Sequence, residues 1–321
     1  MVKHFVLLLA LAATHSAAAS APKANTRAAS DKYAAWASQA AQILIARADA
    51  NSLATAAALS ISPQKSEQAA LELAARASEL APQNSAIGWM RLQLCAQATA
   101  CDIRDTATVM RWVDPDNAAA WLPTLAAAQR DKDTTEVDRV LADMAREARF
   151  DFYWNRIVVL MFDALDAARN ELSGGYAASD STRYTAVSGI ASGKVIPPFA
   201  PLVDACRESA AHPERRDLCL RLSKTMQRGD TIIAQLMGFG IEKRLLAPDS
   251  KEVRAIAERR HVLEWRVTAA AKFDSPLLPW TKNARARARL AQMRAMPREE
   301  DVCIAILREH KMALDPPEAH P

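Results

Sequence analysis

From residue 31 onward, apolar side chains return every three or four positions, the period of an α-helix, and strict alternation is rare. Tyr33, Trp36, Ala40, Ile43, Leu44 and Ala48 form one such stripe. Ala69, Ala70, Leu73, Ala77 and Leu80 form another, with Glu67, Glu72, Arg76 and Glu79 largely outside it. The pattern is cut at Asn51-Ser52, Ser62-Pro63, Pro82 and Asp114-Pro115-Asp116-Asn117, where proline or a capping side chain ends one helix and begins the next. The same reading predicts helices over 85–95, 101–113, 118–130, 137–148, 152–172, 182–190, 199–209, 213–227, 231–246, 251–273, 282–296 and 298–312. Pro123 fits only a first helical turn, so the 118–130 helix is expected to start late, near Ala120. The fold class is therefore all-α, with antiparallel helical hairpins stacked as a repeat-like array.

The rhythm pauses at 173–181 and again at 191–198. We expect a helical domain over 31–172, a second helical part over 182–314 and a tail at 315–321. Before them lies a different text. Met1, Lys3 and His4 make a short basic start, Phe5 to Ala13 is apolar, and Ala17-Ala18-Ala19 offers the small residues a signal peptidase accepts. Residues 1–19 thus read as a signal peptide, 20–30 as an unstructured lead-in, and the body as periplasmic or secreted. No later stretch reaches 18 apolar residues, so no further membrane span is expected.

Charge changes this picture little: without Lys3 the body holds 40 Lys and Arg against 37 Asp and Glu, which forces neither a nucleic-acid nor a membrane partner. Cysteine adds more. Five cysteines suit an oxidising compartment. Cys95 and Cys101 lie six apart, Cys206 and Cys219 thirteen apart, and we expect each pair to close locally, although four cysteines allow three pairings and spacing alone leaves the other two open. Cys303, among Val302, Ile304, Ala305 and Ile306, reads as a buried, inert thiol.

One stretch carries a resemblance. Ala70 to Ala77 followed by Pro82, then Trp89-Met90-Arg91-Leu92, resembles the close of one tetratricopeptide unit and the opening of the next. Pro82 and Pro115 are 33 apart and Trp89 and Trp121 are 32 apart, near that family's period of about 34. Gln93 stands where its glycine would be, and Leu125 follows Trp121 one position late. The resemblance covers roughly 67–148 and implies a concave surface that binds a protein or peptide without chemistry. Arg91, Gln93, Gln129 and Arg130 are the candidate contacts there.

Catalytic constellations are sparse. Ser188 to Lys194 lacks the first glycine and the final Ser or Thr of a phosphate loop, and neither a Gly-x-Ser-x-Gly elbow nor a His-Glu-x-x-His pair occurs. Glu258, His261 and Glu264 share a helix face, but arginines 259, 260 and 266 surround them, which favours ordinary ion pairing. We expect no metal and no cofactor. Arg285, Arg287, Arg289 and Arg294 spread around one helix and offer a broad positive surface for an anionic envelope component. The leading expectation is an exported helical interaction protein. An envelope hydrolase or carbohydrate-active enzyme using carboxylates of the C-terminal half, and a purely structural helical protein, are the alternatives.

Overall fold

The computed structural model describes residues 23–60, 67–173, 179–208, 212–274 and 283–317, without the side chains of 23–30, 208 and 274. The signal peptide read at 1–19 and the last four residues of the tail lie outside the described residues. Helix α1 spans Lys23–Arg47, so it begins inside the segment expected to be an unstructured lead-in. It ends at Ala48, whose φ of 58° reverses the chain. The Asp49 carboxylate then accepts the Ser52 N–H at 2.9 Å and opens α2, Ala50–Ser60.

Helix α2 is where the N-terminal layers meet. Its residues from Ser52 to Ser60 are all buried, and only Leu53 and Leu59 among them are large. Small side chains on every face let other helices approach closely. Helices α1, α3 (Glu67–Leu80), α4 (Ser85–Gln97), α8 (Trp154–Ala167) and α9 (Asp180–Lys194) all pack against it.

Several of the helices that follow open on a side-chain cap. Asn84 accepts from the N–H groups of Ala86 and Ile87 at the head of α4, and Asp102 from those of Arg104 and Asp105 at the head of α5, Ile103–Val113. Asn117 caps a single 3₁₀ turn, Ala118–Trp121, before α6, Leu122–Arg130, so the regular helix starts after Ala120, with Pro123 in its first turn. Asp133 caps α7, Thr134–Met144. Trp89 is fully buried, stacks on Phe152 with ring centroids 5.3 Å apart, and donates to the Val195 carbonyl at 3.0 Å.

The chain continues through α10 (Ala200–Glu208), α11 (Pro213–Met226), α12 (Ile232–Leu245), α13 (Lys251–Asp274), α14 (Asn283–Ala295) and α15 (Glu299–Glu309). These later helices pack on the earlier ones: α10 lies on α6, α11 on α7, and α14 on α8 and α9. One cluster of buried apolar side chains runs from Trp36 to Leu307. Gly238 of α12 has no room for a Cβ, which would sit 2.6 Å from the Ser223 carbonyl, so α11 and α12 meet backbone to backbone there. Cys95 is bonded to Cys101 and Cys206 to Cys219, with Cα atoms 5.3 Å and 5.7 Å apart. Among the described residues the only β-type pairing is an isolated parallel bridge between Asn117 and Arg149, and no helix is long and apolar enough to cross a membrane.

Candidate binding groove

A buried polar knot fixes the C-terminal helices on the N-terminal ones. Asp230 is 5% exposed. It stands just before α12 but does not cap it, because Thr231 takes that role by accepting the Ala234 N–H. Asp230 instead reaches 78 and 77 positions back, accepting the Phe152 N–H at 2.8 Å and the Tyr153 N–H at 2.6 Å. Those donors stand at the head of α8, where Tyr153 has a φ of 58° and offers no cap of its own. The Asp230 carbonyl accepts the Glu299 N–H at 2.8 Å, and the Glu299 carboxylate accepts the Ile232 N–H at 2.8 Å. Acids from distant segments thus close the heads of α8 and α12.

Beside it, the Tyr153 hydroxyl donates to Asp114 and receives Asn117 Nδ2 at 2.9 Å, while Arg149 pairs with Asp114 and Asp151. Burial drives the Asp230 carboxyl well above the usual range, and the nearby Asp151 charge adds to this. Burial likewise pushes Glu299 up to about 7, against the Ile232 N–H, which pulls the other way.

The knot aligns a groove of about 550 Å³ lined by residues of α11 and its following turn, α12, α13 and α15. Its apolar floor is Phe239 and Leu263, which with Ile256 form a small core of their own, and Val262 flanks them. Charged groups make the walls. Glu242 accepts Gln227 Nε2 at 2.6 Å and lies 3.6 Å from Arg259, whose guanidinium sits over the Phe239 ring. Glu300 pairs with Arg266 and Arg298, each at 2.8 Å. Lys224, Arg228 and Glu258 also line the groove, are exposed, and make no ion pair among the described residues.

The residues singled out in the sequence fall elsewhere. Gln93 is 2% exposed, inside α4, and its Nε2 has no hydrogen-bond partner among the described residues. Gln129 is half-buried and donates to the Pro201 carbonyl at 2.8 Å. Arg91 is half-buried and Arg130 exposed, so these four do not share one open face. The basic helix is engaged internally: Arg285 donates to the Phe273 carbonyl, Arg287 pairs with Asp180, Arg289 is buried and donates to Gln292, and Arg294 pairs with Asp163. Of the Glu258, His261 and Glu264 trio, Glu258 lines the groove, His261 is exposed, and Glu264 pairs with Arg260 at 2.8 Å. Ser188 to Lys194 lies inside α9. Cys303 is half-buried.

Among the described residues no three His, Cys, Asp or Glu side chains gather where they could hold a metal ion. Comparison with family models, with curated proteins and with solved structures finds no match to this chain.

Proposed function

We propose that this is an exported helical interaction protein that holds a segment of another polypeptide in the groove between α11, α12, α13 and α15. The observation that carries the reading is the groove itself: an apolar floor, walls that keep their own ion pairs, and three charges left over at the rim. Recognition sites combine apolar area with a few placed polar groups in this way. The tetratricopeptide-like spacing of Pro82, Trp89, Pro115 and Trp121 supports a repeat-like interaction fold. The basic start, the apolar run from Phe5 and the two disulfides support export to the periplasm or beyond.

The groove also holds three carboxylates, Glu242, Glu258 and Glu300, the raw material of a hydrolase. Two of them are committed to arginines, which leaves Glu258 without an acid partner to divide the work of proton transfer. Binding is the better account. A photo-crosslinking residue placed at Val262 in intact cells should give a discrete polypeptide adduct that the same residue at Lys243, outside the groove, does not. No adduct specific to Val262 would count against the reading. Amino-terminal sequencing of the mature chain tests export, with a new terminus expected near residue 20.

A further inference from the structure

Resting on that reading, we infer that the occupant is an acidic segment in which Asp or Glu stands beside a large apolar residue. The inference comes from what the groove leaves unbalanced. Arg266 and Arg298 neutralise Glu300, and Arg259 stands against Glu242, so these groups need nothing from a ligand. Lys224 in the last turn of α11 and Arg228 in the turn that follows remain, both exposed and both without an acidic partner among the described residues. Both line the same groove, so a carboxylate held there can meet both. Of the three acids that line the groove, Glu242 and Glu300 are paired and Glu258 has no ion pair among the described residues, which makes the unsatisfied balance positive.

The rest of the site fits the same ligand. Phe239 and Leu263 are buried at the floor, and the half-buried Val262 continues that surface on α13. An apolar side chain next to the bound carboxylate covers the exposed part of Val262 and seats against the rims of Phe239 and Leu263. The Arg259 guanidinium over Phe239 closes one end of the floor. Glu258 then accepts backbone N–H groups of the segment or stands against a basic neighbour in it. A basic segment would instead place like charges against Lys224 and Arg228, which is a means of rejecting it.

The test is selection of nine-residue peptides from a random display library on the full mature chain, repeated on two charge-reversed variants. One is K224E/R228E; the other, K243E/R244E, carries the same change of charge on exposed α12 residues outside the groove. We expect the native chain to enrich peptides with Asp or Glu beside Leu, Ile or Phe. A selected peptide should lose about tenfold in affinity on K224E/R228E and little on K243E/R244E, and selection on K224E/R228E should turn toward Lys and Arg. Groove-dependent peptides without an acidic residue, or enrichment blind to K224E/R228E, would overturn the acidic ligand while leaving a peptide groove in place. No enrichment on any form would overturn both. All four substituted side chains are exposed, and matching circular dichroism spectra confirm that loss of binding is not loss of fold.

Discussion

Asp230 shows how much one side chain can decide. Its carboxylate takes two N–H groups in a region closed to water, at the head of a helix whose own cap residue supplies nothing. Asp230→Ala leaves both donors buried and unmet, and should cost about 3 kcal/mol in urea unfolding; Asp230→Asn keeps one acceptor and should cost less. A loss below about 1 kcal/mol for the alanine variant would mean that the donors find other partners. Glu299 gives the knot a pH dependence of fixed sign. Its carboxyl is raised from 4.5 to about 7 by burial, so the folded chain holds this proton more tightly than the unfolded chain does. Its contribution is full below about 4.5 and is lost as pH rises through about 7. The melting temperature should therefore be higher at pH 5 than at pH 8. Glu299→Gln should shrink that difference without removing it, because Asp230 is raised too. A difference unchanged in the variant would take Glu299 out of the account.

At the scale of elements, local chemistry was readable and long reach was not. Pro123 announced the late start of α6 because proline has no N–H to give and fits a first turn. The cysteines six and thirteen apart are joined, and the helices read from 85, 101 and 137 do form there, although their caps are Asn84, Asp102 and Asp133. The arginines of α14 read as a surface because charge spreads around a helix in sequence. Asp180 and Asp163, the partners of Arg287 and Arg294, lie more than a hundred positions away and leave no local mark. The groove escaped for the same reason: Glu258 stood out beside His261, but its companions come from four helices between Lys224 and Glu300. The α11–α12 contact offers a paired test. Gly238 faces the Ser223 carbonyl and Met226, whereas a Cβ on Gly240 meets nothing within 4 Å. Gly240→Ala should stabilise the protein by up to about 1 kcal/mol through helix propensity. Gly238→Ala should destabilise it by about 1–3 kcal/mol through overpacking, read from the same denaturation curves. Equal effects at the two positions would show that the helices do not touch where Gly238 lies.

At the scale of the whole molecule, the ties between early and late helices are of several kinds and lie far apart. Asp230 closes the head of α8, Arg215 of α11 meets Asp138 of α7 at 2.6 Å, Trp89 of α4 donates to Val195 past the end of α9, and Arg287 and Arg294 bring α14 onto α9 and α8. Surface pairs such as Arg294 with Asp163 add less than about 1 kcal/mol each. The continuous apolar cluster beneath them carries the larger share, because separating early helices from late ones would expose side chains of both. The halves should therefore unfold together. Trp89 is buried in the early part, and Trp265, whose indole donates to the Ala313 carbonyl at 3.3 Å, reports on the late part. Two variants, each keeping a single one of the seven tryptophans, at 89 or at 265, with phenylalanine at the other six positions, should show fluorescence midpoints in urea that match each other once each is referred to the far-ultraviolet circular dichroism transition of the same variant. Separated midpoints would show two units that fold apart, and the groove, built only from helices after Pro213, would then belong to the later unit alone.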